Sequence, residues 1–212
     1  MAKKIALFGA SGKTGQHFLN AALAKGYKVI ALVRNGNSIT QAHTNLTVVE
    51  GDVLNYTDVN KVVEGADIVV SLFGHVKGSP EWLQTNGTKN IVQAMKQYNL
   101  ARIISLTGGG VPYPAKDRPK FADKLIRTIM KIVVPKILND GIKHCEILKQ
   151  SGLSWTIVRG PRLTNDAKMG NYRVGWVGVN ASTKISRADL ADFIVTQLDD
   201  EQYIAQMPFV SN

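Results

Sequence analysis

The chain has 212 residues, of which 44% are hydrophobic and 20% are charged. These are ordinary values for a globular protein, and the length suits one domain with a sizeable core. We therefore expect a single domain over residues 1–212. A single cysteine, Cys145, excludes an internal disulfide framework and is typical of a reducing compartment.

The chain is basic, with 26 Lys and Arg against 16 Asp and Glu and a net charge of +10. Such an excess occurs in proteins that bind nucleic acid or an anionic membrane surface, and also in enzymes with anionic ligands. The sequence carries no nucleic-acid recognition motif, no secretory signal and no apolar run close to the roughly 18 residues that span a membrane. We therefore expect a soluble, cytoplasmic protein with no nucleic acid and no membrane partner, acting as a monomer or weak homodimer.

Strand-like and helix-like segments alternate along the chain. Apolar segments predict six strands, at residues 4–8, 28–33, 46–50, 67–72, 102–106 and 155–158. Helical patterns separate these strands, at residues 13–25, 58–64 and 81–98 and on a segment that stops at Gly152. Strands joined by helical crossovers predict an α/β protein with a Rossmann-type doubly wound parallel sheet. We expect the C-terminal residues to form a small region on the substrate side.

A basic amphipathic stretch from Lys120 to Lys136 follows a loop rich in Gly and Pro. Within it, Phe121, Leu125, Ile129 and Val133 recur every four residues and form one apolar stripe. The pattern favours a helix that packs this stripe on the sheet and exposes a solvated basic face. A lid over the substrate and a surface for a partner are the two alternatives.

The first strand leads directly into the loop Gly9-Ala10-Ser11-Gly12-Lys13-Thr14-Gly15, which a helix follows. A dinucleotide diphosphate needs a tight turn, close backbone and the bare amides of a helix N-terminus, and glycines permit all three. A phosphate-binding Walker loop is excluded because Leu7 stands where its first glycine would be. We expect six residues to hold the diphosphate: Gly9, Ser11, Gly12, Lys13, Thr14 and Gly15.

The end of the second strand predicts the form of the cofactor. NAD sites usually place a carboxylate there for the ribose 2′-hydroxyl, whereas an arginine accommodates a 2′-phosphate. This chain has Arg34 directly after Val33, with no acidic residue beside it. A charge-assisted hydrogen bond contributes about 1.5–3 kcal/mol, which is roughly 10- to 150-fold in affinity. We therefore predict NADP(H).

These motifs resemble the short-chain dehydrogenase/reductase superfamily, in its atypical branch of NmrA-like proteins and small flavin (biliverdin-IX-beta) reductases. The resemblance extends over nearly the whole chain. Its segments are GASGKTG at 9–15, Gly51-Asp52-Val53, SLFG at 71–74, Asn86-Gly87-Thr88, Ser105-Leu106-Thr107, SGLSWTIVRGPRLT from Ser151 and ISRADLADFI from Ile185.

The resemblance implies further site residues at the carboxyl ends of the strands. Asp52 and Val53 are expected beside the adenine, although Asp52 could instead cap a turn. Phe73 and Gly74 are expected in the cofactor wall after strand four. The nicotinamide is expected between Thr107 and the pair Gly160-Pro161.

The family's usual Tyr-x-x-x-Lys motif, which supplies the catalytic proton, is absent, because none of the six tyrosines has a lysine four residues later. Flavin-reductase-like relatives work without it, so the resemblance implies an NADPH-dependent reductase of a flavin, quinone or similar conjugated acceptor. The alternative is a non-catalytic NADP(H) sensor of the NmrA type that acts through a protein partner. Thr107 and His75 are the catalytic candidates, and the scattered histidines predict no metal site.

Overall fold

The structure is a computed structural model that describes residues 2–212. Its strands are β1 (Lys4–Phe8), β2 (Lys28–Val33), β3 (Leu46–Glu50), β4 (Ile68–Ser71), β5 (Arg102–Gly108), β6 (Ser154–Gly160), β7 (Arg162–Thr164), β8 (Arg173–Gly175), β9 (Lys184–Ser186) and β10 (Phe209–Ser211). Its α-helices are α1 (Lys13–Ala24), α2 (Tyr56–Val63), α3 (Leu83–Gln97), α4 (Phe121–Val133), α5 (Pro135–Gln150) and α6 (Arg187–Thr196).

The main sheet has the strand order β3-β2-β1-β4-β5-β6-β10-β8, and only the edge pair β10–β8 is antiparallel. The chain moves outward from β1 to β3, then crosses back to β4 on the other side of β1. This reversal is the topological switch point of a doubly wound sheet, where such folds bind ligands. The Rossmann-type fold predicted from the sequence is confirmed.

Side chains alternate between two cores on either face of the sheet. From β1, Ile5 and Leu7 pack into the core that contains α1 and α6. Ala6 and Phe8 pack into the opposite core, with side chains of α2, α3 and α5. Burial on both faces explains why β1 reads as a continuous apolar run rather than an alternating one.

The strands after β6 are three residues long, which explains why periodicity did not predict them. β7 and β9 form a separate two-stranded parallel sheet, while β8 and β10 extend the main sheet.

The loop after β8 and the first turn of α4 enclose a second cavity of about 330 Å³. None of the helices in residues 2–212 is long and apolar enough to cross a bilayer.

The expectation that the apolar stripe of the basic stretch packs on the sheet was wrong. The stretch divides at Val134 and Pro135, and Pro135 occupies the first position of α5, where its missing N–H costs nothing. Phe121, Leu125, Ile129 and Val133 are all exposed. α4 contacts the rest of the protein through Met130, on its other side.

Candidate functional site

The glycines of the loop between β1 and α1 are required by close backbone contacts. Gly9 has φ +89°, and a Cβ there would lie 2.5 Å from the Phe73 amide nitrogen. A Cβ on Gly15 would lie only 2.0 Å from the Gly9 carbonyl oxygen. Side chains at these positions would therefore push the loop away from β4 and from the helix. The crowding fixes a tight turn that leaves its outer surface open to a ligand.

The N-terminus of α1 is bare. Its N-cap is Gly12, which has no side chain to cap the first amides, and the first turn carries no acidic residue. The loop is closed instead by the Gly12 amide, which donates to the Gly9 carbonyl at 3.1 Å. An uncapped helix N-terminus offers its amides and the positive end of its dipole to an anion.

A cavity of about 400 Å³ opens beside this loop, within the usual range for ligand pockets. It is lined by residues at or just after the carboxyl ends of β1, β2, β3 and β4. Nine predicted site residues line it: Gly9, Ser11, Gly12, Arg34, Asp52, Val53, Phe73, Gly74 and His75. Six others do not line it: Lys13, Thr14, Gly15, Thr107, Gly160 and Pro161.

Arg34 follows the last residue of β2 and is exposed at the cavity rim. No carboxylate of residues 2–212 forms a salt bridge with its guanidinium. A carboxylate that sequence reasoning missed does lie on the adjacent strand, where Glu50 is in register with Val33. Its Oε2 accepts a hydrogen bond of 3.0 Å from the Gly36 amide. The carboxylate therefore holds the turn after β2, while the guanidinium stays free.

Asp52 and Val53 form the wall of the cavity after β3. Asp52 does cap a turn, since its Oδ1 accepts from the Leu54 amide at 2.9 Å. The Val53 carbonyl accepts from the Asn90 side-chain amide of α3 at 2.9 Å. A Cβ on Gly87 would meet both the Phe73 ring and Val53, so this glycine lets α3 approach the wall closely.

His75 forms a hydrogen bond that no sequence pattern predicted. Its Nε2 lies 2.6 Å from Oδ2 of Asp140, a carboxylate with no exposed surface. The same carboxylate accepts 2.8 Å hydrogen bonds from the Gln84 and Thr85 amides in the first turn of α3. Asp140 therefore fixes the imidazole at the cavity edge and caps α3, where the helix dipole favours a negative charge.

Thr107 is buried near the end of β5, and its Oγ1 has no hydrogen-bond partner in residues 2–212. Across from it on α5 stands Gly141, where a Cβ would lie 3.2 Å from that oxygen. The adjacent strands place Gly108 beside Gly160 in register. A hydroxyl without a partner is unusual for a buried polar group, and this oxygen has almost no surface exposed to the cavity.

A buried histidine, His144, lies one turn after Asp140 on α5. His144 Nδ1 is 2.9 Å from the Thr88 hydroxyl, and its Nε2 is 3.5 Å from the Ser105 hydroxyl. Burial lowers the pKa of His144 from 6.5 to about 4, so the imidazole is neutral at pH 7. Burial also raises the pKa of the Cys145 thiol to about 12, which makes it unreactive. Within residues 2–212, no group of three metal-ligating side chains could hold a metal ion.

Sequence reasoning missed Asp140 for a physical reason. The Asp140-Gly141 pair is typical of a turn, yet both residues lie inside α5. Glycine is accepted there because the approach to Thr107 leaves little room for a side chain. His75 could be identified from the sequence only by its position after a strand, because its contact with Asp140 is distant in sequence.

Comparison with known proteins agrees with this geometry. Residues 9–201 match the model of the NAD(P)H-binding family. The uncharacterized protein YwnB of Bacillus subtilis (strain 168) is 26% identical over 213 residues, which cover 94% of each chain. Cinnamoyl-CoA reductase 1 of Petunia hybrida is 26% identical over 133 residues, which are 57% of this chain but only 40% of that enzyme.

A solved structure has the same fold over the whole chain. It is a short-chain dehydrogenase/reductase from Veillonella parvula DSM 2008 in complex with NADP, with a TM-score of 0.79 and 20% identity. The match covers 100% of this chain and 95% of that one. With its glycine loop, its Rossmann sheet and the match over residues 9–201, this chain belongs to the NAD(P)H-binding family.

Proposed function

We propose that the protein is an NADPH-dependent reductase that transfers hydride to a flavin, quinone or similar conjugated acceptor. The proposal depends on one observation, the cavity whose lining joins the glycine loop, Arg34 and His75. When bound, the reduced nicotinamide supplies the hydride, and one proton completes the reduction of the acceptor. The reductases and dehydrogenases among the relatives support oxidoreductase chemistry.

In this proposal the cofactor is held along the carboxyl ends of the strands. The glycine loop and the first amides of α1 hold the diphosphate, through Gly9, Ser11, Gly12, Lys13, Thr14 and Gly15. Asp52 and Val53 lie against the adenine, with Phe73 and Gly74 forming the wall after β4. The hydroxyl of Thr107 lies on the nicotinamide side, together with Gly160 and Pro161.

Arg34 is the residue that selects the phosphorylated cofactor. Its guanidinium has no carboxylate partner in residues 2–212, so a 2′-phosphate would meet a free charge. We expect Arg34→Asp to weaken NADPH binding by about 10- to 150-fold, with a smaller effect on NADH. Lys89→Asp, an exposed change of equal charge on α3, is the control. An Arg34→Asp protein that binds NADPH as tightly as the parent would refute the role.

His75 is the group that we propose to pass the proton to the acceptor. Asp140 holds its Nε2 side at 2.6 Å, so the ring is oriented before any substrate arrives. This pair takes the place of the missing tyrosine and lysine, and solvent resupplies the proton. We expect His75→Asn to lower turnover by about 100-fold, the low end of general acid catalysis, while His17→Asn on the exposed face of α1 changes nothing.

The second candidate is an NADP(H) sensor that signals through a partner. It is favoured by the helix α5, which presents glycine rather than a catalytic tyrosine opposite Thr107. One assay separates the two functions. The protein is mixed with NADPH and a panel of flavins and quinones, and the absorbance of the reduced nicotinamide is followed. Turnover supports the reductase, whereas tight NADPH binding without turnover on any acceptor would favour the sensor.

A further inference from the structure

The apolar side of the helix α4 faces the solvent. At about 100° per residue, Phe121, Leu125 and Ile132 lie within about 40° of one another around the helix axis. Their side chains are 83%, 51% and 75% exposed. Met130, which packs against the core beside Gly110, lies about 160° from Ile132 on the opposite side. The helix thus turns its apolar stripe away from the protein.

The exposed apolar surface is concentrated in this segment. Residues 121–137 hold seven of the thirteen large apolar side chains that are exposed in residues 2–212. The other six are scattered over the rest of the surface, where single exposed apolar residues are normal. A contiguous apolar patch of this kind marks an interaction surface.

Positive charge surrounds the patch without matching negative charge. Residues 116–136 carry seven Lys and Arg but only two acids, Asp117 and Asp123. Both acids are engaged internally, Asp117 with the buried Arg159 and Asp123 with the Lys120 amide. Among residues 2–212, Lys136 is the only one of these seven cations in a salt bridge, with Glu81.

The cations also lie where a surface-bound helix needs them. Lys124 and Lys131 are exposed, and both lie on one side of the helix, about 80° and 100° around its axis from Ile132. When the stripe faces downward into an apolar phase, lysines at that angle extend their stems along the boundary and keep their ammonium groups in the polar layer. This is the arrangement of helices that lie in a membrane interface.

We propose that α4 docks the protein on the surface of an anionic phospholipid bilayer, with Phe121, Leu125 and Ile132 inserted at the headgroup boundary. A second copy of this chain fits the patch less well, because it would bring two cationic helices of a protein with net charge +10 together. An anionic bilayer instead complements both the charge and the apolar stripe. The proposal goes beyond the reductase function, and it revises the sequence-based expectation of no membrane partner.

Vesicle sedimentation tests the proposal without any catalytic readout. The protein is spun with vesicles of phosphatidylcholine alone or mixed equally with phosphatidylglycerol, and the bound fraction is measured at low and high salt. We expect binding to the anionic vesicles, weak binding to phosphatidylcholine, and release at high salt. Lys124→Gln with Lys131→Gln should weaken binding by about 25-fold, at about fivefold for each lysine.

A second variant tests the apolar stripe. Phe121→Ser, Leu125→Ser and Ile132→Ser together change only exposed side chains, so the fold should be retained and circular dichroism will check it. We expect this variant to lose vesicle binding, while Met169→Ser, an exposed apolar change elsewhere, binds as the parent does. No binding of the parent to anionic vesicles, or equal binding by the serine variant, would overturn the proposal. Dimerisation that the serine variant abolishes, without vesicle binding, would assign the patch to a second copy.

Discussion

Replacing Asp140 by asparagine removes a buried charge that three groups share. In the parent, the carboxylate is fully buried and binds His75 Nε2 at 2.6 Å and the Gln84 and Thr85 amides at 2.8 Å each. An asparagine can accept from one side only, so its NH₂ group faces either the imidazole or a backbone amide. Leaving a buried hydrogen-bonding group without its partner costs about 1–3 kcal/mol, and more where a charged group is involved. Since asparagine retains one acceptor, we expect a loss of about 3 kcal/mol in the free energy of unfolding.

The loss is measured by urea unfolding and by thermal melting. For a chain of this length, 1 kcal/mol corresponds to about 2–4 °C, so the melting temperature should fall by about 6–12 °C. Asp166→Asn is the matched control, because that carboxylate is exposed, with a 3.7 Å salt bridge to Lys184 and an exposed hydrogen bond from the Thr164 hydroxyl. It should change stability by less than about 0.5 kcal/mol.

A double-mutant cycle with His75→Asn separates the contact between His75 and Asp140 from the cap on α3. If the pair is coupled as the geometry indicates, the double variant will be more stable than the sum of the single losses predicts. An Asp140→Asn protein that loses no more stability than the Asp166→Asn control would refute the reasoning.

Two further predictions concern the glycine loop and His144. Gly15→Ala should lower the free energy of unfolding by about 2 kcal/mol or more even without cofactor, because its Cβ would overlap the Gly9 carbonyl oxygen, while Gly108→Ala, with open space around it, changes little. Denaturant titration checks both, and a Gly15→Ala protein as stable as the parent would contradict the crowding. His144 is neutral in the fold because burial lowers its pKa from 6.5 to about 4, so the unfolded chain binds the extra proton as the pH falls below 6.5. Between pH 7.5 and 5 this costs about 2 kcal/mol of stability, and His144→Gln should remove that slope whereas His17→Gln, on the surface, should not.

The Rossmann sheet could be predicted because its central strands β1, β2 and β4 are buried on both faces. The predicted bounds of the first three strands, at residues 4–8, 28–33 and 46–50, are those of β1, β2 and β3. Apolar runs that alternate with helix-length segments are compatible with few folds other than a parallel α/β sheet. The three-residue strands β7 to β10 are too short for a period to register, and only the tertiary pairing reveals them.

The candidate site could be predicted in part. The loop from Gly9 to Gly15 could be predicted from the sequence. Close backbone contacts at Gly9 and Gly15 leave no room for a side chain, so the spacing of the glycines is visible in the sequence. Asp140 gave no signal, because its importance comes from a contact 65 residues away with His75. The side of α4 that faces the protein also could not be predicted from the sequence. An amphipathic pattern gives the stripe, but the packing of Met130 decides which side of the helix meets the protein.

The central claim is that the bare first turn of α1 and the free guanidinium of Arg34 together bind a phosphorylated nicotinamide dinucleotide. Isothermal titration calorimetry of the folded protein with NADPH, NADP and NADH measures this directly. We expect binding of NADPH and NADP, with NADPH bound at least about tenfold more tightly than NADH. No heat with either phosphorylated form, or equal affinity for NADH and NADPH, would contradict the account.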